Sequence, residues 1–369
     1  MTGERNAPTV HDVAHAAGVS KSSAARVLAG RGSSSSETRR RVEEAAARIG
    51  YRPNALAKAM KSGSSGTIGV IVTDVAKPFF SVVVRGLTDA ARAAGFEVMV
   101  SNSDNDPDIE ARTIELFAEK RVDGMVIAPA FQDDPRSIIR LIEDKMPVVL
   151  LDRRMPSLSH VPSVAIDNVG ASQMATEHLL SLGHRRVAIV TESRDNPGDL
   201  LDRSAHEDVT LWTPAAQRLL GYVKAVQDVG FEPDSTLIIR CDYNSSSAAT
   251  AVGRALDRGL DVSAILCTDA SVTYGAYREL ADRDVVIPHD VSFVGFDDQD
   301  WTTMVRPEVT VVEQPRYRLG LACANMLLAQ IRHLETESNE IRLSANLIQR
   351  GSTAPARNEM LVDGAVAAS

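Results

Sequence analysis

Cysteine is scarce in this 369-residue chain, with only Cys241, Cys267 and Cys323 and no CxxC pair among them. Three scattered thiols cannot build a disulfide framework or a thiolate metal site, and two of them lie beside apolar runs, so buried, inert side chains are expected. No run of about 18 apolar residues occurs, so no membrane-spanning helix is expected. The opening MTGERNAPTVHDVA has no apolar h-region, so no signal peptide is expected and the chain is expected in the cytoplasm. The GxGxxG, P-loop and GxSxG patterns are absent, and His178, His184 and His289 stand alone. No acid, base and nucleophile are assembled, so neither an enzyme nor a cofactor is expected. One segment, HDVAH, places His11 and His15 four apart as zinc proteases do. Its carboxylate is Asp12 where the general base would be Glu, and no third ligand follows, so the two histidines are read as a solvated helix face and no metal is expected.

Positive charge is also in short supply, with 40 Lys and Arg against 49 Asp and Glu, a net charge of −9. Taken as an average, that argues weakly against nucleic acid. The distribution argues the reverse. Residues 1–66 hold 11 basic and 5 acidic groups, a charge of +6, leaving 29 basic and 44 acidic groups, −15, for the rest. A basic head on an acidic body is the mark of a nucleic-acid arm joined to a separate module.

Three short helices are predicted over 9–50. Thr9 can cap the first, with Asp12 closing a capping box, and Val10, Val13, Ala14 and Ala17 form its apolar stripe. Gly18 supplies a left-handed stop, and Ser20 caps the second helix, which turns Ala24, Val27 and Leu28 inward. Only Gly18 and Val19 separate the first helix from that cap, a helix-turn-helix spacing. Ser35 caps a third helix to about residue 49. In such a motif the second helix enters the major groove, which nominates Lys21, Ser22 and Arg26 for base edges and Ser20 for a phosphate. Residues 51–66 form a short linker in which Ala55 to Met60 is helix-prone yet only two turns long, hence marginal alone.

From Ile68 apolar strands alternate with helices. Strands are predicted at 68–73, 96–101, 124–128, 147–151 and 163–166, then again at 186–190, 236–240, 264–267 and 291–295, with helices at 80–94, 106–121, 135–145, 168–182, 214–229, 246–258 and 271–282. Continuous apolar strands separated by helices mean parallel sheets covered on both faces. The fold class is therefore α/β, a helical headpiece followed by two doubly wound lobes, with a ligand expected between the lobes at the carboxyl ends of the strands.

TVHDVAHAAGVSKSSAARVLAG, SSETRRRVEEAAARIGYRPNALAKAM and TIGVIVTDVAKPFF, followed by GHRRVAIV, VSFVGFDD and LIQRGSTA, closely resemble the lactose-repressor (LacI/GalR) family of transcriptional regulators over about 9–355. The resemblance implies a headpiece at 1–52, a hinge helix and linker at 53–66, and a core resembling periplasmic sugar-binding proteins at 67–355. Within that core it implies a first lobe of about 67–166 and 315–342, a second of about 167–314 and 343–355, and a tail at 356–369. It implies a homodimer on a pseudo-palindromic double-stranded operator, with paired hinge helices wedging a central base step. Met60 stands where the family usually has Leu, with Asn54, Ala57 and Lys61 beside it. Ser23-Ala24-Ala25-Arg26 stands where the family often has Thr-Val-Ser-Arg, so Ser23 keeps a hydroxyl and Ala25 lacks one. The effector residues it implies are Asp74, Phe79, Phe80, Asp152, Arg218, Tyr243, Thr268 and Asp297. An aromatic face with carboxylates and a guanidinium suits a sugar or polyol; a planar nucleobase could use the same set. A sugar-binding transport protein is the rival reading, opposed by the basic head. The tail lacks a leucine heptad, so a dimer rather than a tetramer is expected.

One segment departs from the family pattern. Between Val190 and Arg218 lie 27 residues, of which 192–213 hold six acids and Trp212. A long structureless loop is expected here, either a mobile surface excursion or a lid over the cleft with Trp212 near the ligand.

Overall fold

The computed structural model describes residues 8–28, 34–51, 64–130, 135–335 and 338–357. The chain divides into two compact units, with the boundary between Gly66 and Thr67. The smaller unit contains α1 (Val10–Ala17), α2 (Lys21–Leu28) and α3 (Ser36–Ile49). Its core is Val13, Ala14, Ala17, Ala24, Val27, Val42, Ala45 and Ala46, the stripes set by helical periodicity. Thr9 and Asp12 form the reciprocal capping box. Gly18 is favoured by its φ of +63°, and a Cβ there would also stand 2.7 Å from the guanidinium end of the Arg41 side chain, which would have to shift. That guanidinium donates to Ala17 O at 2.6 Å, and Arg48 donates to Ala16 O at 3.1 Å, so two headpiece arginines satisfy the carbonyl end of α1.

The larger unit has two six-stranded sheets. The first is built from β1 (Thr67–Val72), β2 (Glu97–Asn102), β3 (Met125–Ile127), β4 (Val148–Leu151), β5 (Ser163–Ile166) and β11 (Glu340–Leu343), in the order β11-β5-β4-β3-β1-β2 and parallel throughout. α4 (Pro78–Ala93), α5 (Pro107–Glu119), α6 (Arg136–Glu143) and α13 (Arg316–Ile331) belong to this lobe. The second sheet takes β6 (Val187–Thr191), β7 (Ile238–Arg240), β8 (Ala264–Cys267), β9 (Ser292–Phe296), β10 (Thr310–Glu313) and β12 (Asn346–Ile348), in the order β12-β10-β9-β8-β6-β7, with β12 alone antiparallel. Its helices are α7 (Asn168–Ser181), α8 (Pro197–Ser204), α9 (Pro214–Asp228), α10 (Ser245–Asp257), α11 (Ala270–Asp282) and α12 (Asp300–Met304).

The strand order reverses at β1 in one sheet and at β6 in the other. The crevice between the carboxyl ends at such switch points is where doubly wound sheets bind ligands. The chain crosses between lobes three times: at Asp167, at Gln314–Pro315 and at Ser344–Ala345. α4 and α13 pack backbone to backbone. A Cβ at Gly86 would fall 2.2 Å from Tyr317 O, and one at Gly320 would fall 2.0 Å from Val83 O. All three cysteines are buried and free.

The structure corrects the expected elements in three places. The helix expected from 80 starts at Pro78, a residue suited to the first turn. The strand expected at 236–240 is shortened to 238–240, because the Asp234 carboxylate accepts from the Thr236 N–H and hydroxyl and tightens 235–237 into a 3-10 turn. The segment 192–213 is not structureless. It holds α8, opened by Pro197 and anchored by buried Leu200, and a 3-10 turn at Val209–Leu211 capped by Asp208. Among the described residues no helix is long and apolar enough to cross a membrane.

Candidate functional site

In the headpiece, α2 begins where the Ser20 hydroxyl accepts from Ser23 N–H at 3.1 Å. Ser20, Lys21, Ser22 and Arg26 are exposed along one side of α2 while Ala24 and Val27 are buried on the other. Ser23 is half-buried and its hydroxyl accepts from Ser20 at 2.8 Å, which engages it in the helix start. Arg26 Nε reaches back to Ser22 O at 3.4 Å. The helix thus presents two cations and small hydroxyls with no bulky apolar side chain between them, a face that suits base edges and phosphates. Asn54, Ala57, Met60 and Lys61 lie outside the described residues.

The larger unit carries a cleft of about 1080 Å³ between its lobes. Six of the eight effector residues expected from the sequence line it: Phe79, Phe80, Asp152, Arg218, Tyr243 and Asp297. Asp74 and Thr268 are outside the lining. Asp74 accepts from the N–H of Ala76 at 2.9 Å in its own turn. Thr268 is buried and donates to Val190 O at 3.1 Å and to Glu192 at 2.9 Å, so it supports a cleft residue from behind.

Arg218 organises the second-lobe wall. Projecting from the first turns of α9, its guanidinium is 5% exposed and lies 4.1 Å over the Phe296 ring. Nε donates to the Asn168 side chain at 2.8 Å and Nη1 to Thr268 O at 2.5 Å. Those bonds fix the plane of the fork. Asp152 follows β4 and Asp297 follows β9, and each has a φ of +67°, so the two lobes present an aspartate with the same left-handed backbone at the same relative place. Asp297 is 1% exposed. Its Oδ1 accepts from Gln314 at 2.9 Å, while Oδ2 has no hydrogen-bond partner. A buried carboxylate oxygen without a donor is a costly arrangement that a ligand hydroxyl or amine would relieve.

Burial pushes Asp297 up to about 6, helped by Asp269 and opposed by Arg218 and Arg316. Desolvation likewise raises Asp152 against the pull of Arg153 and Arg218, and raises Glu192 together with repulsion from Asp269. Lys77, just before α4, extends across the cleft, with Nζ 3.3 Å from the centre of the Tyr243 ring. Desolvation holds its ammonium below the ordinary value, against the attraction of Asp269 and Asp74. The lining contains eight carboxylates and four arginines, an excess that favours hydrogen-bond donors over anionic groups as occupants.

Asp269, Gln314 and Arg153 in the lining, and Lys77 beside it, were not expected from the sequence, and Glu192 was expected only as part of the segment 192–213. Each stands within a few residues of a strand end or chain crossing, which was the available signal. The segment 192–213 was suspected, and it contributes Arg194, Asp195, Arg203, Glu207, Leu211 and Trp212. Of the histidines, His184 is buried between the Ser263 hydroxyl and Ala354 O, His178 bonds the Thr353 hydroxyl, and His289 pairs with Asp290 at the surface. His11 and His15 are exposed, and among the described residues no cluster of His, Cys, Asp and Glu is placed to hold a metal.

Two family models match the chain. Residues 9–54 match the bacterial regulatory proteins of the lacI family, and residues 65–351 match the periplasmic binding proteins and sugar binding domain of the LacI family. The HTH-type transcriptional repressor CytR of Escherichia coli (strain K12) is 31% identical over 350 residues, covering 95% of this chain and 97% of CytR. Among solved structures, a complex of the transcriptional regulator CelR with cellobiose is 29% identical, covers 94% of this chain and 99% of that one, and superposes with a TM-score of 0.68. The lac repressor dimer bound to operator and the anti-inducer ONPF covers 95% and 100% with a TM-score of 0.79 at 24% identity, a likeness of fold.

Proposed function

Because the chain belongs to the LacI family of bacterial regulatory proteins, we propose that it is a transcriptional repressor. In this reading it binds a pseudo-palindromic operator as a cytoplasmic homodimer, is switched by a small molecule in the interlobe cleft, and catalyses no reaction. The effector is an uncharged, hydroxyl-rich molecule, a sugar or polyol. The observation that carries this is the Asp297 carboxylate, 1% exposed and with Oδ2 unpartnered, in a cleft where carboxylates outnumber arginines two to one. Such a wall accepts hydroxyl donors and repels a phosphate. Phe79 and Phe80 supply apolar surface for the face of a ring, and Tyr243 does so on the side that Lys77 leaves uncovered. CelR, similar along nearly its whole length, was solved with cellobiose, and a carbohydrate fits this cleft by the same chemistry.

The switch works through the three crossings. An effector that bonds Asp152 from one lobe and Arg218 and Asp297 from the other favours one interlobe angle. The angle sets the spacing of the paired first lobes and through them the hinge segments, with Met60 as the wedge and Asn54, Ala57 and Lys61 beside it. Moving occupancy from 1:99 to 99:1 requires a differential affinity of about 5.5 kcal/mol across the assembly. In the headpiece, Ser20, Lys21, Ser22 and Arg26 contact the operator. Arg41 and Arg48 are engaged at the end of α1, and Arg40 pairs with Glu44, so these three guanidinium groups are held within the headpiece while its net charge stays +6.

Two measurements test this reading. A thermal-shift panel of neutral sugars, polyols, sugar phosphates and nucleobases is expected to give shifts only with the neutral hydroxylated compounds; a shift confined to purines or phosphates would refute the effector class. Retention on duplex DNA is expected to weaken with salt, log K falling by about 0.9 for each phosphate contacted per log unit of salt. Salt-insensitive or absent retention would remove the regulator reading.

A further inference from the structure

We propose that the segment 192–213 is a strap that clasps the two lobes together before any effector arrives, with Arg154 of the first lobe as the residue that positions it. The proposal rests on reading the cleft as the effector site, because the strap forms part of the cleft wall. Arg154 lies two residues beyond Asp152, and its side chain is 10% exposed. Within its own lobe it is held by Ser159 O, to which Nη2 donates at 2.9 Å, and by Glu340 of β11, 3.1 Å from Nη1. The same Nη1 donates to the Thr210 hydroxyl and stands 3.5 Å from the Asp208 carboxylate. Asp208 and Thr210 belong to the 3-10 turn of a segment rooted in β6 and α9, both in the second lobe. One guanidinium therefore bonds both lobes at once.

A floppy loop could not transmit such a tie, and this segment is braced along its length. Arg203 of α8 stacks 4.5 Å over the Trp212 ring. Glu207 accepts from Arg203 Nε at 3.1 Å and from Trp212 Nε1 at 2.8 Å, while Asp195 accepts from Arg203 Nη1 at 2.9 Å. Arg240 of β7 donates to Ser193 O at 2.6 Å and to Asp195 O at 2.7 Å, fixing the root. Force applied at Arg154 is thereby carried into the second sheet. Lys77, held over Tyr243, is a second first-lobe cation resting on the second lobe. An effector that enters must part the clasp or slip beneath it, and one that touches Leu211 or Trp212 reads the strap directly.

The test measures the interlobe distance in the full chain without ligand. The native thiols are buried, so spin labels are placed at Glu119→Cys in the first lobe and Arg258→Cys in the second, and labelled protein is diluted into excess unlabelled chain. Asp208→Asn with Thr210→Val removes the carboxylate charge and the hydroxyl that Arg154 meets on the strap, leaving its bonds to Ser159 and Glu340 in place; Arg154→Met removes the guanidinium from the other side. The wild type is expected to give one short distance. Both variants are expected to raise the open population about tenfold, the weight of one hydrogen bond to a charged group, and their combination is expected to add nothing further. Superimposable distributions in wild type and variants would overturn the clasp, as would a change in Arg154→Met alone. A sugar panel without effect on the wild-type chain would sink the effector reading while leaving the distance result untouched.

Discussion

Asp297→Asn is expected to make the folded core more stable at neutral pH while abolishing its response to effector. The carboxylate is 1% exposed, one oxygen is unpartnered, and burial pushes it up to about 6 from the ordinary 3.8. A carboxyl raised in the folded state binds its proton more tightly there than in the unfolded chain, so ionisation works against folding. The penalty is absent below about pH 4, grows between 4 and 6, and is complete above 6. That gap is worth at most about 3 kcal/mol. The substituted amide still accepts from Gln314, but its N–H group must be desolvated, which returns about 1–2 kcal/mol of the gain. A net stabilisation of about 1–2 kcal/mol at pH 7.5 remains, fading to none or to a small loss at pH 4.5. Urea unfolding of wild type and variant at both pH values measures it. The comparison must be a difference, because His178 and His184, held below the ordinary 6.5 by burial, destabilise both proteins as the pH falls. If the variant is less stable by the same amount at both pH values, the carboxylate is a paired structural group and the argument from its unpartnered oxygen fails.

Other expectations concern packing and the headpiece. Gly86→Ala should lower core stability by about 1–3 kcal/mol in urea unfolding, because its Cβ would stand 2.2 Å from Tyr317 O; an unchanged midpoint would mean that α4 and α13 do not approach so closely. Arg41→Ala should cost about 1 kcal/mol by freeing Ala17 O, read as faster amide exchange across α1, whereas Arg39→Ala should leave exchange unchanged. Arg26→Ala should weaken operator binding and relax sequence preference, while Lys21→Ala, if it meets phosphate, should weaken all duplexes alike and flatten the salt slope. Equal effects of the two on every duplex would deny α2 a reading role.

The headpiece and the first nine strands were readable because both rest on periodicity, whether the Val13, Ala14 and Ala17 stripe or the all-apolar VAIVT and AILC runs. The return of the chain was not. β11 is half-buried along its whole length at a sheet edge and β12 is three residues long, so neither has the apolar run that marks a central strand. The strand ends lead to the cleft seen in the structure, while single residues expected there fall outside its lining. Successive side chains at the end of a strand face opposite ways, so Asp269 enters the cleft while Thr268 turns behind it. The fold of 192–213 depends on ring stacking and on Arg240 from another strand, contacts that carry no local pattern.

The three crossings also impose a schedule on synthesis. The first lobe lacks its edge strand until Leu343 is made, and the second lacks β12 until Ile348. The headpiece has its own core and closes by Ile49. At about 5–20 residues per second, roughly 15–60 s separate the two events on the ribosome. During that interval a nascent chain carries a finished DNA-reading unit with no sensor to govern it.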